Sequence, residues 1–393
     1  MSRKGQYVEY SVGDETVRAY LPPPLPFEPP IRTDRLLGCM EKANQALGRL
    51  DALAYLLPDT RIFIYYYVRK EAVLSSQIEG TQSSLSDLLL YESSQQLGVP
   101  LDEVEDVSSY VAALEHGLKR LREGFPISLR LIREVHSVLL TRGRGSTKAP
   151  GEFRRTQNWI GGTRPGNAIF VPPPVDRLME CLDNLEKFLH NYYGEFPSLM
   201  KAAISHVQFE TIHPFLDGNG RLGRLLITLL LCSEGILSEP ILYLSLYFKT
   251  HRTQYYEALQ RVRVEGDWEN WYEFFLEGVK RTATQAVESS KQILTLFEND
   301  RDILLAPSGT SVYAKSHSIS LQKVHDALKE KPIVSITQAA ELAGMSFPTT
   351  RDALATLERA NIVKEITGKQ RGRVYVYQEY INILQSGTDS LPS

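Results

Sequence analysis

The sequence predicts a mainly α-helical protein in two parts, and three observations predict it. Apolar residues recur at helical spacing through most of the first 300 residues. One stretch, 157–171, instead places two β-capable runs around the turn signal Pro165-Gly166. After residue 319 the pattern changes to short helices followed by two β-prone runs around a glycine-rich basic turn. The expected divisions are an N-terminal region at 1–95 with a helix at about 62–80, and a helical core at 96–285. A connecting helix and linker at 286–318, a small domain at 319–384 and a disordered tail at 385–393 follow.

Taken in order, Met1–Tyr20 mixes charged and β-prone residues and reads as a loose arm or a short strand pair. Leu21–Pro30 (LPPPLPFEPP) reads as an extended proline-rich linker, with a PxxP ligand as the weaker alternative. Helical pattern starts at Thr33-Asp34 and runs to Leu57, where Pro58-Asp59 ends it. A second helix spans Ile62–Gly80, with Ser75 and Glu79 four apart on one face and Gly80 suited to end it. Thr81–Pro100 is polar and glycine-terminated and is expected to contain a loop; helices follow at Leu101–Arg122 and Ser128–Leu140, then a basic loop, Thr141–Pro150. The β-capable runs around Pro165-Gly166 make a hairpin whose second strand is stopped by three prolines. Val175–Tyr193, Arg252–Val264, Trp268–Val279 and Thr282–Leu305 complete the helical part.

The most informative stretch is His213–Arg224, H-P-F-L-D-G-N-G-R-L-G-R, between a helical run (Ser198–Ile212) and a nearly all-apolar one (Arg221–Leu231). It reads as helix, glycine turn, helix. A helix N-terminus presents free N–H groups and partial positive charge, which suits an anion. Arg221 and Arg224, three apart, share a face and can hold phosphate oxygens. Asp217 is the loop's one carboxylate, enough for Mg²⁺ when substrate phosphates supply the other oxygens. His213 can take a proton. Together these suit chemistry on a nucleoside triphosphate. Gly218-x-Gly220-x-x-Gly223 also matches a dinucleotide fingerprint, but a helix and not a strand precedes it. The bland alternative is a glycine turn with a capping Asp and two surface arginines.

A net charge of −3 implies no strong field toward nucleic acid or an anionic membrane. Cys39, Cys181 and Cys232 follow no metal or disulfide spacing, and the N-terminus is not signal-like, so a reducing cytoplasm is expected. The longest apolar runs, such as Leu225–Cys232, are too short to span a bilayer, so no membrane partner is expected.

The twelve-residue run resembles the signature of the Fic family, His-Pro-Phe-x-Asp/Glu-Gly-Asn-Gly-Arg-x-x-Arg, without departure. The fold this implies is a Fic-type helical bundle with a β-hairpin flap. The implied activity is transfer of AMP from ATP to a Ser, Thr or Tyr hydroxyl of a target protein, and of the enzyme itself. By the same resemblance His213 is the base and Asp217 holds Mg²⁺ or Mn²⁺. Gly218, Asn219 and Gly220 bind the α/β-phosphates, with Asn219 also counted as catalytic. Arg221 and Arg224 take the outer phosphates, and Leu222 and Gly223 belong to the nucleotide-binding stretch. The intact Asp-Gly-Asn-Gly-Arg run favours AMP transfer over the phosphate transfer of the related Doc kinases. Ser75-x-x-x-Glu79-Gly80 resembles the inhibitory helix of Fic proteins that silence themselves, in which the Glu pairs with the second arginine, here Arg224. The 157–171 hairpin stands where the family's flap docks the target as an added strand. Tyr256 falls near the adenine, and Arg263 stands where some relatives carry an Asn.

The order of elements in 319–384 resembles a winged helix. Met345–Val376 has six Lys/Arg against three Asp/Glu, compatible with weak DNA contact. Protein docking or a homodimer through the same fold is the equal or better reading. The rival functions are a DNA-binding regulator whose Fic half senses nucleotide, and an enzyme that removes AMP with Glu79 positioning water.

Overall fold

A computed structural model of the chain describes residues 3–13, 15–56, 60–92, 101–305 and 313–388. An antiparallel hairpin opens it, β1 (Gln6–Val12) and β2 (Glu15–Leu21), pairing Tyr7 with Tyr20 and Val12 with Glu15. The strand-pair reading therefore holds over the loose arm. The proline-rich stretch is not a free linker or a displayed ligand. Leu25 and Phe27 are buried, Phe27 stacks on Trp268 with centroids 4.4 Å apart, and Gln208 donates to the Pro23 carbonyl at 2.9 Å. Prolines remove donors and fix φ, so this segment lies against the core with few backbone groups to satisfy.

Helices α1 (Leu37–Leu56), α2 (Thr60–Ile78), α3 (Leu85–Glu92), α4 (Leu101–Arg122) and α5 (Leu129–Leu139) follow. Ser128 caps α5 by accepting from Leu131 N–H. Helix α3 lies within the stretch expected to contain a loop: Ser84 accepts from Asp87 N–H, Asp87 answers to Ser84 N–H, and Leu85, Leu88 and Leu89 are buried. The rest of that expected loop, 93–100, lies outside the described residues. Next come α6 (Val175–Leu189), α7 (Ser198–Ile212), α8 (Asn219–Ser233), α9 (Ser245–Thr250), α10 (Arg252–Glu265) and α11 (Trp268–Leu305). The two helices expected over 268–305 are one, because nothing between Val279 and Thr282 breaks the pattern and Ala283 and Ala286 continue the buried face.

Helices α7 and α8 lie at the centre, packed on each other, with α4, α5 and α2 against α8. Almost every residue of both is buried, as expected of helices apolar around most of their circumference. No helix among the described residues is long and apolar enough to cross a membrane.

The C-terminal part runs α12 (Tyr313–Glu330), β3 (Ile333–Ser335), α13 (Ile336–Ala343), α14 (Phe347–Arg359), β4 (Lys364–Glu365), β5 (Val374–Val376) and α15 (Gln378–Gln385). The sheet order is β3-β5-β4, all antiparallel. A Ser335–Gln338 capping box starts α13 and Gly344 ends it at positive φ. This part shares one core with the rest of the chain. Tyr66 of α2 donates to the Glu330 carbonyl at 3.1 Å and meets Tyr380 edge-on. The start of the expected disordered tail is packed: Thr388 is 1% exposed, and its carbonyl accepts from Gln77 of α2 at 2.9 Å. Residues 389–393 lie outside the described residues.

Candidate active site

Helix α7 ends at His213, whose backbone adopts the left-handed conformation (φ 49°) while its N–H donates to Phe209. Pro214 follows and lacks the N–H a helix would need. A left-handed non-glycine residue costs on the order of 1 kcal/mol, and side chains from elsewhere hold it there. The His213 carbonyl accepts from Arg154 Nε and Asn158 Nδ2, each at 3.1 Å. Asn219 closes the loop from the other side, accepting from Phe215 N–H at 2.9 Å and donating to Phe215 O at 2.8 Å. His136 of α5 stacks on Phe215 and accepts from Gly151 N–H at Nδ1, so its Nε2–H donates to the Asp217 carbonyl at 3.0 Å. The loop is rigid because four side chains bind its backbone.

Gly218, at φ 77°, is the N-cap of α8, a conformation that glycine adopts without penalty. The first N–H with an intrahelical acceptor is that of Leu222, to Gly218 O at 3.0 Å. The N–H groups of Asn219, Gly220 and Arg221 are therefore the helix's open donors. A carboxylate already faces them. Glu79, just past the end of α2, lies so close over Gly220 that any side chain there would collide with its Oε1.

The same oxygen accepts from Arg224 Nη2 at 2.7 Å, while Arg224 also donates to Ser75 Oγ and to the Ser75 carbonyl, both at 2.9 Å. Burial pushes the Glu79 carboxyl up, but Arg224 and Arg221 outweigh it and hold it below the usual glutamate range. Arg221 is buried with its Nη1 3.3 Å from Asp106 and Nη2 3.8 Å from Asp217. Asp217 Oδ1 also accepts from Gly218 N–H at 2.6 Å. At His213, burial and the nearby Arg263 lower the imidazole pKa to about 4, so the ring is neutral at physiological pH. Its Nδ1 lies 3.4 Å from the Glu210 carbonyl, which places the proton on Nδ1 and leaves Nε2 basic.

Residues 37–119 match the family model described as Fic/DOC family N-terminal, and residues 126–231 match the model of the Fic/DOC family. The chain is a Fic domain protein. It is 30% identical over 248 residues to the protein adenylyltransferase Fic of Aedes aegypti, covering 63% of this chain and 44% of that one. To the protein of the same name from Drosophila grimshawi it is 29% identical over 247 residues, covering 63% and 46%. This Fic protein thus spans less than half the length of these two curated relatives. Among solved structures, a Fic family protein from Desulfovibrio desulfuricans G20 aligns over 91% of this chain and 98% of its own, with TM-score 0.57 at 19% identity. A Fic-1 fragment from C. elegans aligns over 66% and 76%, with TM-score 0.52 at 23% identity. At these identities the likeness is one of fold.

The Fic site is a cleft of about 340 Å³ lined by Glu79, His213, Asp217, Gly218, Asn219, Gly220, Arg221, Arg224 and Tyr256, among others. A larger hollow of about 630 Å³ lies beside Phe125 and Leu230 but has no such convergence; chemistry and not size picks the site. Ser75 stands behind the cleft and holds Arg224. Leu222 and Gly223 do not reach the cleft, which corrects their place in the nucleotide-binding stretch. Leu222 is buried in the core with its N–H used inside the helix, and Gly223 packs against α7, where its carbonyl receives His206 Nδ1. The Asn219 side chain is engaged at both ends on Phe215, and its backbone N–H is open to a phosphate.

Tyr256 sits at the rim, 42% exposed, whereas Tyr255 is buried and donates to His206 Nε2 at 2.8 Å. Arg263 turns inward, stacking on Phe170 and bonding Thr211. The flap is less regular than a hairpin. One bridge, Ile160–Phe170, joins its arms, and Pro165–Asn167 forms a 3₁₀ turn in which the Asn167 side chain accepts from Thr163 and Arg164 N–H. Its outer arm is also covered by β2, through Tyr20 N–H to Val171 O at 2.9 Å. Asp106, Arg144 and Glu210 line the cleft and were not singled out from the sequence. Glu210, one helical turn before His213, is the one acid in Ser198–Ile212, which is the signal by which it could have been found.

Proposed function

We propose that this protein transfers AMP from ATP to a hydroxyl of a target protein. The observation that carries the reading is one cleft uniting a neutral, basic His213, the open N–H groups of α8 and two arginines. The α- and β-phosphates would lie on the N–H groups of Asn219, Gly220 and Arg221. His213 Nε2 would take the proton of an incoming Ser, Thr or Tyr hydroxyl as its oxygen attacks the α-phosphorus. The bond from that phosphorus to the bridging oxygen breaks and pyrophosphate leaves. Preorganised donors at the place where charge develops are usually the largest catalytic contribution.

Asp217 offers one carboxylate at the loop edge, and no cluster of three or more His, Cys, Asp or Glu able to hold a metal exists among the described residues. That donor set fits Mg²⁺ or Mn²⁺ completed by substrate phosphates and water, not a protein-built cage. Such a cation would neutralise phosphate charge during transfer. Glu79 would act as a restraint in cis, since it occupies both the α8 N-terminus and the Arg224 fork that outer phosphates need. Trp159, Ile169, Leu216 and Tyr256 are exposed around the cleft and flap, which supports docking of a target segment along 157–171.

For the C-terminal part, helix–strand–helix–helix–strand–strand is the order of a winged helix. Arg351 on the face of α14 pairs with Asp352, and Leu342, Phe347 and Ile366 are exposed. This favours a protein contact, a second copy of this chain included, over more than weak, salt-sensitive DNA binding. Incubating the purified protein and a lysate with labelled ATP tests the central reading. AMP-sized adducts on protein hydroxyls are expected; their absence with both wild type and Glu79→Gly would refute it.

A further inference from the structure

Glu210 has no task in that chemistry. It lies at the floor of the cleft, 7% exposed. Its backbone carbonyl serves His213 and Arg263, but its carboxyl Oε1 has no hydrogen-bond partner among the described residues. A buried polar atom left unpaired is destabilising, which makes a ligand-facing role the economical explanation. The carboxyl lies against Gly223 of α8, where any side chain would collide with Oε1. The groups facing it are Glu79 from just past α2, Arg224 from α8, and Arg263, Tyr255 and Tyr256 from α10. His206 and His213 belong to its own helix and its end.

An ionised Glu210 would compete with a phosphate for Arg224, as Glu79 does. A neutral carboxyl would not, and its O–H could donate to a phosphate oxygen. We propose that Glu210 takes up a proton from solvent when the phosphates of ATP enter beside Arg224, so that the nucleotide is held with a carboxylic acid, not a carboxylate, beneath it. This rests on the ATP reading above. Burial already raises the group to about 7, with Arg224 opposing. Incoming phosphate charge moves it further in the same direction. At pH 8 the uptake approaches roughly one proton per nucleotide, and affinity falls by up to about tenfold per pH unit above neutrality.

The test is calorimetry of Mg-ATP binding to full-length His213→Ala, which removes turnover, at pH 8 in HEPES and in Tris. Binding enthalpies that differ by the buffers' ionisation heats for about one proton are expected. The difference should vanish in His213→Ala/Glu210→Gln, whose affinity should lose its pH dependence between 7 and 8.5. Equal enthalpies with binding intact overturn the proposal and leave the ATP reading standing, as does a buffer difference that persists in the double variant. Absence of any ATP binding overturns both. If the double variant melts early, His213→Ala/Glu210→Met, which has no titratable group at that position, takes its place in the same two-buffer comparison.

Discussion

Replacing Glu79 by glycine should release the enzyme. The Arg224 guanidinium has three contacts, two to Ser75 and one to Glu79. Glu79→Gly deletes only the last, so Ser75 still holds the guanidinium while its outer edge opens to a phosphate. With Glu79 in place, a γ-phosphate must sit elsewhere, and a displacement of about 1 Å at the reacting centre can cost on the order of 10²-fold, about 2.7 kcal/mol. Glu79 is 35% exposed and just beyond the end of α2, so the restraint gives way part of the time. We therefore expect a rise of at least about tenfold, roughly 1.4 kcal/mol of barrier. The stability change should be small and opposite. Glu79 is a third exposed but Arg224 is buried, so part of a buried pair is lost; the two Ser75 contacts remain on the guanidinium, and Tm should fall by a few degrees. Glu79→Asp should release partly. Arg224→Ala should not, because it removes the phosphate's partner together with the inhibitor's. Incorporation of labelled AMP by the purified variants is the assay. Equal or lower incorporation by Glu79→Gly would refute the reasoning, and loss of AMP from a modified target by the wild type would assign Glu79 to the reverse reaction.

His213→Ala should keep ATP binding by calorimetry and lose transfer by about 10²–10⁴-fold; near-wild-type transfer would remove it as the base. Because the imidazole is held neutral down to about 4, kcat/KM of Glu79→Gly should keep its acid limb well below pH 6, not near 6.5; a pH–rate profile decides. Asn219→Ala removes both bonds to Phe215 and strands its buried N–H, while the carbonyl keeps the bond from Asn158 Nδ2 at 2.9 Å, so unfolding should cost about 1–3 kcal/mol less, seen as a lowered denaturant midpoint. Residues 1–285 lack α12 to α15 but contain every cleft residue, and cutting there severs α11 and frees Gln77 from Thr388. Transfer should persist in that fragment, and a folded fragment without activity would show that the C-terminal part completes the site.

What could be read from the sequence was whatever is encoded by neighbours in the chain. Helix α7 begins and ends where the pattern of Ser198–Ile212 placed it, because Pro214 stops it locally. Helix α4 matches Leu101–Arg122 through its own apolar spacing, and Gly344 ends α13 and Ser346 caps α14, residue types that mark helix ends locally. Helix α3 was hidden because Leu85–Glu92 is one short turn-pair between polar residues, stable only when packed on α2 and α4. The flap looked like a hairpin since β-propensity reports fit to a half-buried surface, whereas its ladder here is reduced to one bridge and its outer arm leans on β2.

In the cleft, the sequence identified the groups but not their present partners. Arg221 and Arg224 share a helix face as three-residue spacing requires, yet neither guanidinium is free. Asp106, 115 residues earlier on α4, meets one, and Ser75 with Glu79 meets the other. No periodicity places Asp106, because an acid on an amphipathic helix is ordinarily solvated; only the packing of α4 on α8 brings it within 3.3 Å. Both arginines are therefore held by carboxylates, so the proposed nucleotide binding would exchange one anion for another. Such exchange costs less than desolvating free guanidiniums would, since the burial of both charges is already offset in the folded chain. The carboxylate that can leave most easily is the one at a helix end and not in mid-helix. That is Glu79, beyond Ile78, and not Asp106, which lies inside α4 and also accepts from Arg144 N–H at 2.8 Å.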